Sequence, residues 1–173
     1  MQTPGQVLSG EHRYILKAIG ALKQETAKIE KGAAVDYGFF STAVDFIRNY
    51  ADRFHHAKEE GILFRELMNK PTFPPGPVNV MLHEHELGRQ YVGQLDYAIK
   101  EKDEKGVMAA SASYASLLEN HIRKEDTILF PMADKALEAK LQESILDEFA
   151  KVERKFTAVD DYISLANAFA HRR

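Results

Sequence analysis

The sequence predicts an all-α protein: a four-helix bundle with an additional C-terminal helix. Three observations predict it. Apolar residues recur at helical spacing along most of the chain. No segment shows the sustained alternation or β-branched clustering that strands need. The ten glycines and six prolines fall mostly at breaks between the periodic runs. At 173 residues, 45% hydrophobic and 28% charged, the chain is expected to form one domain, 1–173, with a core of its own.

The first helix is expected from about Leu8 to Lys31, with Leu8, His12, Ile15, Ile19, Leu22, Thr26 and Ile29 on its apolar stripe. Gly32 follows as its stop. Asp36 is a fitting N-cap for a second helix that carries Phe40, Val44, Ile47, Ala51, His55, Glu59 and Ile62 on one face. That helix should end before Pro71. The segment KPTFPPGP, with four of the six prolines, reads as a semi-rigid crossover spanning the bundle rather than a tight hairpin. A third helix from near Val78 has the stripe Val78, Met81, His85, Gly88, Val92, Leu95 and Ile99. The polar run EKDEKG makes the next turn. A fourth helix carries Tyr114, Leu118, His121, Glu125, Ile128 and Met132, and Pro131 should end or kink it. A fifth amphipathic segment follows with Leu141, Ile145, Phe149, Val152, Phe156 and Ile163. No glycine or proline marks where it separates from the fourth helix, and the terminal AHRR is expected to fray. The core bundle is therefore expected over about 5–138 and the extra C-terminal helix over about 139–170.

Composition excludes several classes. A net charge of −3 without a basic stripe argues against nucleic-acid binding. No apolar run is long enough to span a bilayer, and the first residues lack the layout of a secretory signal, so a cytoplasmic protein is expected. No cysteine beside seven histidines restricts any metal site to nitrogen and oxygen donors.

The chain contains an internal repeat. HHAKEEGILF at 55–64 matches HIRKEDTILF at 121–130, and one Glu-His pair, Glu11-His12 or Glu84-His85, stands ahead of each copy. Each half thus offers one lone histidine and one His-x-x-x-Glu. Residues four apart share a helix face, so His55 neighbours Glu59 and His121 neighbours Glu125. All six residues, His12, His55, Glu59, His85, His121 and Glu125, lie on apolar stripes. A carboxylate facing a core is costly unless it is paired or bound to metal. Four imidazoles and two carboxylates converging in one core describe a two-metal site, with the carboxylates bridging. His56 and Glu60 are expected on a solvated face with Arg48 and Asp52. His83 lies about 200° from His85 around its helix and should face away. His56, His83 and His171 are read as surface histidines. The aromatic residues on the stripes are read as core, with Tyr14, Tyr50 and Tyr91 as candidate donors behind the ligands.

These motifs, GEH, the H-x3-E of the second helix, MLHEHELGR and NHIRKEDTILFP, resemble the hemerythrin-like HHE cation-binding family over about residues 5–138. The resemblance implies an up-down four-helix bundle holding a non-haem di-iron centre, two Fe ions with an oxo or hydroxo bridge. It implies His12 and His55 on one iron, His85 and His121 on the other, and Glu59 and Glu125 between them. The oxygen carriers of the family have a further histidine four residues before the third-helix ligand; here that residue is Met81. Their final His-x4-Asp pattern could be met by Asp126, but the repeat favours Glu125. Two histidines per iron leave both irons an open position, which implies redox or sensing chemistry on dioxygen, peroxide or nitric oxide. The alternatives are a reversible oxygen or iron binder, or a structural bundle with zinc or no metal. The apolar stripe of the fifth helix either covers the core or forms a homo-oligomer contact.

Overall fold

The structure, a computed structural model, describes residues 2–172, all of them in helices or short connections. Helix α1 (Pro4–Glu30) starts on a capping box: the Thr3 side chain accepts from the Gln6 amide, Gln6 reaches back, and Pro4 takes the first turn. It ends where Gly32 adopts φ +93°. The amides of Gly32 and Ala33 donate to the carbonyls of Ile29 and Lys28, the paired bonds that a left-handed glycine closes.

The second helix, α2 (37–68), is not α-helical throughout. It begins as α over Tyr37–Phe46, capped by Asp36 accepting from the Phe39 amide. It is π-helical over Ile47–His56 and Glu59–Phe64, then α again over Arg65–Met68. Helix α3 (Pro75–Lys100) starts on proline. Helix α4 (104–136) runs Glu104–Lys124, becomes π-helical over Glu125–Leu129, and continues as Phe130–Ala136. Pro131, expected to end or kink this helix, does not end it. It sits in the first turn after the π-helical stretch, where its missing N–H costs little.

Three further expectations change. The proline-rich segment does not cross the bundle: 69–74 joins α2 to its neighbour α3, and Pro75 and Pro77 are already helical. The fifth segment is two helices, α5 (Ala139–Lys155) and α6 (Val159–Ala170), broken at 156–158. The terminus is tied down at Arg172, which pairs with Glu25 at 2.9 Å and with Asp36. Arg173, the last residue of the segment expected to fray, lies outside the described residues.

Helices α1 to α4 pack as an up-down bundle: α1 against α2 and α4, α3 against α2 and α4. Helix α6 lies along α1, and α5 packs on α1 and on 59–64. Their apolar stripe turns toward the bundle, burying Ile145, Phe149, Ala166 and Phe169. The core divides in two. One cluster gathers Ile15, Ile19, Phe40, Phe46, Tyr50, Leu95 and Tyr114; the other gathers Leu8, Leu63, Phe64, Met81, Leu129, Phe130 and Phe149. Ile62, Leu63 and Phe64 of one repeat and Leu129 and Phe130 of the other all join the second cluster. Between the clusters lies a polar layer.

Candidate metal centre

The polar layer is made of the six residues named by the repeat. His12 comes from α1, His55 and Glu59 from α2, His85 from α3, His121 and Glu125 from α4, and all six are buried. His55 Nε2 lies 3.2 Å from Glu59 Oε1, and His121 Nε2 lies 3.2 Å from Glu125 Oε2. His85 Nε2 is 3.3 Å from Glu59 Oε2, and His12 Nε2 is 3.3 Å from Glu125 Oε2. Each carboxylate therefore faces imidazoles of both halves of the repeat. Two overlapping sets of donors result: His12, His55, Glu59 and Glu125 in one, His85, His121, Glu59 and His56 in the other, each with its donor atoms within 4.8 Å of one another.

The imidazoles are aimed from behind. Nδ1 of His55 bonds Glu11 at 2.8 Å, and Nδ1 of His121 bonds Glu84 at 2.9 Å. Nδ1 of His12 bonds Asp126 at 2.8 Å, and Nδ1 of His85 bonds Glu60 at 2.8 Å. An ionised carboxylate only accepts, so each Nδ1 carries a proton and each Nε2 faces the centre. Lysines hold two of these carboxylates: Lys58 pairs with Glu11, and Lys124 with Glu84. Arg89 holds Glu60 at 2.6 Å and Asp52 at 2.8 Å.

The centre fits a cation. His12 Nε2 and all four carboxylate oxygens of Glu59 and Glu125 are buried without a hydrogen bond. Such atoms are costly unless something positive lies among them. His85 Nε2 and His121 Nε2 are 3.0 Å apart, a distance at which two lone pairs repel unless a proton or cation lies between them. Protonation shows the same demand. Burial works against charge on His12, but Asp126 and Glu125 outweigh it and hold its pKa at about 10. Burial is likewise outweighed at His85 by Glu59 and Glu60, which hold its pKa at about 9. His55 and His121 are raised too, by Glu59 with Glu11 and by Glu125 with Glu84, against burial. Glu59 is held below the carboxylate range by His55 and His85 despite burial. Glu125 is held low by His121 and His12 against burial and the nearby Glu59.

Two sequence expectations fail here. His56 is buried, not solvated: it is 6% exposed and its ring stacks on His85 at 3.7 Å with an interplanar angle of 16°. A π-helix takes more residues per turn than an α-helix, so consecutive side chains diverge less, and His56 follows His55 inward. The stack lays His56 flat against His85, and Nδ1 of His56 faces Asp52 at 3.3 Å. Burial and the neighbouring His85 push the His56 pKa down to about 4. Glu60 is the second failure, since it orients His85. Asp126 orients His12 and accepts from Ser9, and Glu125 takes the central place. His83 is exposed, as expected. Tyr14, Tyr50 and Tyr91 make no described hydrogen bond to the six residues. Glu11, Glu84, Lys58 and Lys124 went unassigned from sequence, yet the signal was present: Lys58 and Lys124, and Glu60 and Asp126, occupy matched positions of the repeat.

Comparison with known proteins agrees with this geometry. A family model described as the hemerythrin HHE cation binding domain matches residues 3–133. No curated protein and no solved structure matches the chain. The match spans α1 through most of α4 and contains every residue of the polar layer, so the chain belongs to the hemerythrin HHE cation-binding domain family.

Proposed function

We propose that the chain is a non-haem di-iron protein that acts on dioxygen, peroxide or nitric oxide in a redox or sensing role. The observation that carries this reading is the set of five buried donor atoms of His12, Glu59 and Glu125 without a hydrogen bond, ringed by imidazoles turned toward them. In this reading His12 and His55 hold one ion, His85 and His121 the other, and Glu59 and Glu125 lie between them. Iron would supply one-electron and oxygen chemistry that no side chain here provides. The chain's own residues do the rest. Glu11, Asp126, Glu60 and Glu84 fix the imidazole orientation and raise its basicity. The two apolar clusters exclude water on either side. Met81, buried beside the centre, offers no imidazole and so leaves a position that an oxygen carrier of the family fills. That favours reaction over reversible carriage. A cytoplasmic setting belongs to the same proposal and rests on composition.

The test is metal content together with the optical spectrum of the reduced protein as air is admitted. About two irons per chain and a charge-transfer spectrum that persists on degassing support the reading. Full reversal on degassing means a carrier. Zinc or no metal, with no spectral change, sinks the proposal.

A further inference from the structure

The two halves of the centre match in their central histidines and carboxylates and differ in the residues beside them. Three residues after His12 stands Ile15, 2% exposed and packed in the core. Three residues after His85, at the corresponding place on α3, stands Gly88. Glycine is the poorest helix former after proline, and Gly88 sits within a 26-residue helix. Beside it lies a cavity of about 130 Å³, lined by Ile47, Val92, Tyr114 and Leu118, by the stacked His56 and His85, and by the charged Arg48, Asp52 and Arg89. Arg89 is held by Asp52 and Glu60.

We propose that this cavity is the chamber through which a small uncharged molecule of two or three heavy atoms reaches the His85–His121 half of the centre. The inference rests on the di-iron reading and adds a side to it: one half is served and the other is shut. The size fits, since apolar cavities of about 150 Å³ take up xenon or benzene. The walls fit, since the apolar side chains give an uncharged guest contact and the charged ones are already paired, Arg48 with Asp96 and Asp52 with Arg89. The opposite half is built differently among the described residues. There Ile15 fills the place of Gly88, and α5 covers the outside, burying Lys58 against Phe149 and Glu153. The groove on that side touches Glu11 but none of the six central residues.

A Cβ on Gly88 would meet Leu118 at 3.5 Å and Tyr114 at 3.7 Å, ordinary contacts, so Gly88→Ala should fit while Gly88→Leu fills the chamber. The experiment follows nitric oxide uptake by the iron(II)-loaded protein in stopped flow, and xenon binding in pressurised crystals of the same protein. Xenon is expected in the chamber of the wild type and absent from Gly88→Leu. Uptake should slow by about tenfold or more in Gly88→Leu, change little in Gly88→Ala, and recover in part when Ile15→Ala is added to Gly88→Leu. If Gly88→Leu loses iron, the wild type decides: rising xenon pressure should slow its nitric oxide uptake. An empty chamber under xenon, or uptake indifferent to both xenon and Gly88→Leu, overturns the chamber while leaving the di-iron reading standing. A wild type that binds iron and takes up no nitric oxide overturns the di-iron reading, and the chamber's role falls with it.

Discussion

The two halves of the centre share one polar plan and live in different surroundings. In each, a Glu ahead of a histidine steadies a histidine on the next helix, and a lysine steadies that Glu. Yet Lys58 is 0% exposed and Lys124 is 32% exposed. Ile62 of the first repeat is 7% exposed and Ile128 of the second is 52% exposed. The cause is α5, which packs over 59–64 and has no counterpart over 125–129. Duplication accounts for the chemistry of both halves. What lies outside the repeat, above all α5, covers the surroundings of one half and leaves Lys124 and Ile128 of the other at the surface.

The largest expected effect breaks both halves together. Glu59→Gln or Glu125→Gln should reduce bound metal from about two ions per chain toward none, because each carboxylate faces imidazoles of both halves. Elemental analysis after gel filtration measures it. Retention of both ions in either variant would remove that carboxylate from the site. Glu60→Gln should lose less, since Glu60 stands behind His85 rather than in the centre; a fall in affinity of about 10–100-fold is expected.

Metal removal exposes the next effect. In the metal-free protein the raised pKa values of His12 and His85 mean that their charged forms stabilise the fold fully below pH 6.5, the ordinary histidine value. That contribution is lost as pH rises through about 9 to 10. Chelated protein should therefore unfold at lower denaturant near pH 9.5 than near pH 6.5, while metal affinity rises over the same span because protons no longer compete. A denaturation midpoint that climbs between these two pH values would contradict the charge assignment.

Two smaller contrasts sharpen the comparison of halves. Glu11→Gln leaves the buried Lys58 with Glu153, at 3.2 Å, as its remaining described carboxylate partner. It should cost up to about 3 kcal/mol in urea unfolding of the metal-free protein. Glu84→Gln, beside the wetter Lys124, should cost below about 1 kcal/mol. Equal losses would mean that α5 does not seal the first half. Ile62→Ala should cost about 2–5 kcal/mol, against Ile128→Ala within about 0.5 kcal/mol of wild type.

The sequence by itself determined the bundle and the centre of the site. Helical periodicity placed His12, His55, Glu59, His85, His121 and Glu125 on core-facing stripes, and duplication separated Glu125 from Asp126. Those signals are local: they need only the helix repeat and the cost of burying a carboxylate. Tertiary structure decided the surroundings. His56 turned inward because α2 is π-helical there, a change of winding that an α-helical repeat cannot register. Glu60 and Glu84 became histidine-orienting groups because each meets a histidine on another helix. Lys58 and Ile62 are buried while Lys124 and Ile128 are not because α5 crosses one copy of the repeat, and the path of a helix over a bundle is set by long-range packing that no local pattern encodes.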